Sequence, residues 1–261
     1  MSQPAAAALA PLPFELVYDD GEPLETDWHT LELPLLRDLI EQVMVEYGRT
    51  DFYVGVNTFV YYSVEQARAV AEEESRVLPK LAFRGPDVFW VGGVDRNRER
   101  KAWIAWEENG RLPDVIFEML SPSTAKKDRT EKRDLYARVF RTAEYFLYEP
   151  ETHKLEGLRL AGRFYQPIQP DENGRLWSEQ LGAHVGLWNG SVSLPPRPAV
   201  DWVRLFRADG SLVLTRGEQT EAANQQAEAE RRQAEAERQR ADSAETELAR
   251  LRALLAERGR S

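Results

Sequence analysis

PDVFWV at residues 86–91 and PDVIFEMLSPST at residues 113–124 decide how this chain folds. Each opens on Pro-Asp and runs through β-branched, aromatic and apolar residues. Gly92-Gly93 ends the first and Ser121-Pro122 the second. Short apolar runs bounded by turn residues read as buried strands. Side chains alternate along a strand, so Asp114, Ile116, Glu118 and Leu120 share one face, and Val115, Phe117 and Met119 share the other. Glu118 thus stands in the middle of an apolar strand, where a carboxylate is expensive unless paired or metal-bound.

Downstream, Asp128 and Glu131 have the spacing of a capping box and predict a helix over 129–140. Leu135, Tyr136 and Val139 form its expected inward stripe, and Lys132 lies three and four residues before the first two, on the same stripe. Lys126, Lys127, Arg129 and Arg133 make the local basic cluster. Tyr145–Tyr148 reads as another strand, and 154–160 with 163–168 as a meander. Upstream, the apolar spacing from Leu31 to Tyr47 predicts a helix with Pro34 in its first turn. Asp51–Asn57 and Thr58–Tyr62 predict one or two strands, and 65–78 a helix or ordered insertion. Trp103 and Trp106 are packing anchors in the charged stretch 94–112. Strands and helices in this order predict a mixed α/β or α+β fold around one central sheet.

The domain limits follow from composition. Residues 1–13 read as a Pro/Ala-rich disordered leader without the basic start of a signal peptide. Residues 14–206 form the folded domain, 207–216 a linker and 217–261 a helical tail. From Glu218 to Glu257 the tail lacks Pro and Gly, and QAEAER recurs at 226–231 and 233–238. Its heptad seam is mostly Ala, with Glu230 and Glu237 intruding and Leu248, Leu251 and Leu255 at the end. Such a seam fits a marginal coiled coil for self-association or partner docking, or a solvated single helix.

Composition limits the chemistry. Cysteine is absent, which excludes disulfides and thiolate sites, and suits a reducing cytoplasm. Three histidines argue against a multi-histidine zinc centre. No run reaches the roughly 18 to 20 apolar residues of a membrane span, so no membrane association is expected. The formal net charge of −10 argues against a broadly basic nucleic-acid surface and leaves only local basic patches. Asp87, Glu118 and Lys132 are the residue types that a metal-assisted phosphodiesterase needs: two carboxylates for Mg²⁺ or Mn²⁺ and a cation for developing charge. Asp114 is a further possible ligand. Each also has a plainer reading: Asp87 and Asp114 as strand-opening turn residues, Lys132 as a side chain reaching solvent along its stem. His29 reads as a helix-start histidine or a site residue. Ser121 and Ser123 lack the flanking glycines of a nucleophile elbow.

Taken together, PDVFWV, PDVIFEMLSPST, DRTEKRDLY (128–136), AEYFLYEPET (143–152) and VGVNTFVYY (54–62) resemble the Uma-two family of restriction-endonuclease-like proteins in the PD-(D/E)XK nuclease superfamily. The resemblance covers roughly residues 14–206. It implies a restriction-endonuclease-like core, a central mixed sheet flanked by helices, acting on DNA with a divalent metal. The motif's Asp falls on Asp87 and its Glu on Glu118. The superfamily's lysine would stand at 120, where this chain has Leu120. The resemblance places it instead on the helix, at Lys132. Two functions follow as expectations: a Mg²⁺-dependent DNA endonuclease, or a catalytically inactive nuclease-fold interaction module. In both, the tail makes the chain a homo-oligomer.

Overall fold

A computed structural model describes residues 12–17, 27–76, 85–121, 124–192 and 200–258. Most of the expected leader lies outside them. The chain divides into two compact units, residues 1–213 and 214–261.

In the first unit, helix α1 (Asp27–Glu46) precedes strands β1 (Phe52–Val56) and β2 (Val60–Tyr61), then helix α2 (Val64–Arg76). β3 (Val88–Gly92), β4 (Trp103–Ile104) and β5 (Val115–Met119) follow, then a helical segment, 125–140, here termed the site helix. β6 (Glu144–Glu149), β7 (Lys154–Ala161) and β8 (Phe164–Pro167) complete one sheet; β9 (Leu176–Ser178), β10 (Ala183–Gly190) and β11 (Val200–Phe206) form another.

The main sheet has the order β1-β3-β5-β6-β7-β8, and only β5 and β6 run parallel. A parallel neighbour requires a crossover, which the site helix supplies between β5 and β6. One face of this sheet packs on α1 through Val54, Val88, Trp90, Phe117 and Phe146. The other packs on the site helix through Phe89, Ile116, Leu120, Tyr136 and Tyr145. The expected mixed α/β architecture is the observed one. Residues 51–62 form two strands in different sheets, β2 pairing in parallel with β4 through Val60 and Trp103.

Four sequence expectations need correction. Pro34 lies in the interior of α1, beyond its first turn. Proline there forfeits a backbone hydrogen bond, but Leu33, Leu36, Leu39 and Ile40 are at most 1% exposed, and their burial holds the helix together. Asp128 does not cap the site helix, which already begins at Ala125. Val139 is half exposed, and Phe140 takes the buried place expected for it. Residues 207–213, expected as linker, fold back on β11: Val213 N–H donates to Leu205 O, and Arg207 binds Glu46 at 2.6 Å.

The second unit is the tail helix, Arg216–Arg258. Thr215 and Glu218 close a reciprocal capping box at its start. Glu218 N–H donates to Thr215 Oγ1 at 3.1 Å, and Thr215 N–H to Glu218 Oε2 at 2.8 Å.

Candidate active site

The register of the main sheet brings the two expected acids together. Val88 pairs with Phe117 in the antiparallel β3–β5 ladder, so Asp87 and Glu118 stand one step further along, on adjacent strands. Both project from the face that the site helix covers, as strand alternation requires. Glu118 is 1% exposed. Asp87 remains half-buried, and its Oδ2 accepts the Met119 backbone N–H at 2.6 Å. That bond fixes the carboxylate across the end of β5.

The site helix presents Asp128, Lys132, Tyr136 and Phe140 to the sheet, a constant spacing of four. In an α-helix, residues four apart drift about 40° around the axis. Three such steps would carry the stripe off the sheet. This helix winds as π turns over Asp128–Lys132 and Tyr136–Phe140, with an α turn between. The wider turns offset the drift and keep all four side chains on one line. π turns inside helices recur at functional sites.

The contacts converge on Glu118. Lys132 Nζ lies 3.0 Å from Glu118 Oε2 and 2.7 Å from Asp128 Oδ1. Tyr136 donates its hydroxyl to Glu118 Oε1 at 2.6 Å. Tyr145, edge-on to Tyr136, donates to the Asp128 carbonyl at 3.1 Å. Asp128 and Tyr136 were missing from the sequence-derived site. The signal for both lay in their four-residue spacing on either side of Lys132.

Asp114 lies elsewhere. It opens β5 at the end opposite Glu118, accepts the Gly92 N–H at 2.9 Å and pairs with Arg111 at 3.2 Å. Its turn reading is the one the contacts match. Leu120 is buried in the apolar core, 2% exposed. His29, 6% exposed on α1, is near enough to act electrostatically on Asp87.

Electrostatics follow from burial and crowding. Desolvation pushes the Glu118 carboxyl up to about 8; Asp87 and Asp128 add to the rise, and Lys132 and the Tyr136 hydroxyl oppose it. Desolvation also raises Asp87, against the pull of Lys132 and the Met119 N–H. Burial works against the Lys132 ammonium, yet Glu118, Asp128 and Asp87 outweigh it and drive its pKa up. Lys132 is therefore a permanent cation. Three carboxylates around one ammonium leave two negative charges in excess when all are ionised.

Among the described residues, no group of three or more His, Asp and Glu side chains is gathered tightly enough to cage an ion. Mg²⁺ rarely needs one: it keeps several waters and binds through one or two carboxylates plus substrate phosphates. Hard oxygen donors that carry two uncompensated charges once all three are ionised suit such an ion.

Among the described residues, no helix is long and apolar enough to cross a membrane. No curated protein matches the chain. A crystal structure described as "a putative nuclease belonging to DUF820" from Anabaena variabilis ATCC 29413 superposes with a TM-score of 0.41 and 13% identity. The match covers 63% of this chain and 81% of that one. Residues 19–195 match the Uma2 family, described as "Putative restriction endonuclease". By that match, which spans the site and most of the first unit, the chain belongs to the Uma2 family.

Proposed function

We propose that this chain is a divalent-metal-dependent endonuclease that hydrolyses DNA phosphodiester bonds. The observation that carries the reading is the meeting of Asp87, Glu118 and Lys132 at the end of β5. Asp87 and Glu118 would hold Mg²⁺ or Mn²⁺. The bound ion supplies Lewis-acid polarisation of a phosphate oxygen and a water of lowered pKa.

The chain's own residues supply orientation and charge. The Met119 N–H and the Tyr136 hydroxyl fix the two carboxylates. Lys132, held by Glu118 and Asp128, would offer a cation to the negative charge that develops on the phosphate. Because it stays protonated, it would stabilise developing negative charge and does not act as the base. Asp87 is the more exposed of the two acids.

The test is cleavage of plasmid, single-stranded and branched DNA with Mg²⁺ or Mn²⁺. Glu118→Gln is expected to lower the rate by at least about a hundredfold, in line with loss of one charge-stabilising group. Cleavage unchanged by the substitution removes the site assignment. Calorimetric titration separates the competing function: no divalent binding at millimolar concentration would leave the interaction module.

A further inference from the structure

Two cavities adjoin the site helix and share Arg129 and Arg133 on their walls. One, of about 470 Å³, reaches Leu147, the β6 residue paired with Glu118 in the sheet. The other, of about 380 Å³, ends at Arg163, Phe164 and Tyr165 on the β7–β8 hairpin. The register pairs Ala161 with Phe164, so Gly162 and Arg163 make the hairpin tip. Gly162 has φ +63°, a conformation that glycine adopts without strain.

Phe164 is 68% exposed, the most exposed large apolar side chain among the described residues. Three arginines, Arg129, Arg133 and Arg163, line the cavity with it. Arg129 is engaged with Glu149 and Glu156. Arg133 and Arg163 make no ion pair among the described residues, although Glu131 and Asp134 line the same cavity. An exposed phenyl ring lining one cavity with two arginines that make no ion pair is the combination that single-strand binders use. Bases stack on the ring, and the phosphates between them meet the arginines.

We infer that the smaller cavity, a groove walled by Arg133, Arg163 and Phe164, takes a single-stranded DNA segment, with a base stacked on Phe164 and phosphates on Arg133 and Arg163. A duplex offers no free base face for the ring. The net charge of −10 supplies no broad field to hold duplex phosphates, so the stacked base gives the single strand its advantage. The inference rests on the nuclease reading and names its substrate as single-stranded or flapped DNA.

The test is fluorescence anisotropy on the full chain without divalent metal, using a labelled single strand and the matching duplex. The single strand is expected to bind more tightly. Phe164→Ala should weaken single-strand binding about tenfold, Phe164→Trp should retain it, and duplex binding should not change. Arg133→Gln with Arg163→Gln should lower the slope of log K against log salt by about 1.4, the value for two phosphate contacts on a single strand. Equal weakening of duplex and single strand, or none with Phe164→Ala, overturns the inference. Binding needs no catalysis, so the two readings fail separately. Cleavage that depends on Glu118 but ignores Phe164 leaves the nuclease standing without the groove; Phe164-dependent binding without cleavage does the reverse.

Discussion

Glu118 shares one ammonium with two other acids, and the imbalance has a pH signature. Its carboxyl is pushed up to about 8 by desolvation, well above its value in an unfolded chain. A raised carboxyl pKa means that the folded state holds the proton more tightly. The associated stability is fully present below the unfolded value near 4.5 and is lost as pH rises through about 8. Asp87, also raised, acts in the same direction. The melting temperature of the metal-free protein should therefore fall between about pH 5 and pH 8. Glu118→Gln, which carries no titrating proton, should flatten that slope, and Mg²⁺ should restore stability most at the alkaline end. Thermal melts across this range check all three; parallel curves for wild type and variant would contradict the assignment. The sequence exposed Glu118 because the acid interrupts an apolar strand. It gave no such warning for Glu144, equally buried at 1% exposure. That acid begins β6, where it is satisfied by Arg159, the Ser178 hydroxyl and the Glu179 N–H. A sequence shows where a carboxylate is out of place. It does not show the partners that make one merely structural.

The helix that carries Lys132 shows what periodicity can miss at the level of an element. Its existence, its place after β5 and the inward direction of Lys132 were all legible, because apolar residues fall at helical spacings. The buried stripe was not, because an α period of 3.6 predicts Val139 inward and the π turns turn Phe140 in instead. Nothing local in DRTEKRDLYARVF announces π winding. It is set by what the helix packs against: Glu118 drawing Lys132 and Tyr136 onto one line, and Tyr62 meeting Phe140 edge-on at 5.4 Å. The register can be tested by two truncations one residue apart. Phe140→Ala should destabilise the protein by about 3 kcal/mol or more, as large buried aromatics do. Val139→Ala should stay within about 0.5 kcal/mol, as surface changes do. Urea denaturation measures both, and a reversed order would restore the plain α-helical stripe. The three-stranded sheet β9–β11 went unread for a related reason. Leu176, Val185, Val203 and Leu205 are buried in the α1 core, but they come from short strands broken by polar residues, whose partner surface is distant in sequence.

For the whole molecule, the question is what a 43-residue helix does when almost none of its described side chains is covered. At about 1.5 Å per residue it extends roughly 65 Å. Its own pairs, Gln226–Glu230, Arg232–Glu228 and Gln233–Glu237, are exposed four-residue contacts that support a solvated helix by a few tenths of a kcal/mol each. The capping box at Thr215 fixes where it starts. None of this needs a partner. Leu248 and Leu251 do argue for one, since they are 52% and 49% exposed and fall on the same seam. Burying them against a second copy gains apolar area, while the alanines upstream contribute little and Glu230 and Glu237 oppose close approach. Association should therefore be weak and concentrated at the leucine end. Light scattering on a chain ending at Val213 should give fewer protomers per particle than the full chain at the same concentration. Leu248→Lys with Leu251→Lys should reproduce that loss, because charge at two seam positions removes what area the dimer gains. The first unit, whose core residues all precede the cut, should melt as before. An unchanged number of protomers per particle in both variants would leave the tail a solvated helix and remove self-association through it.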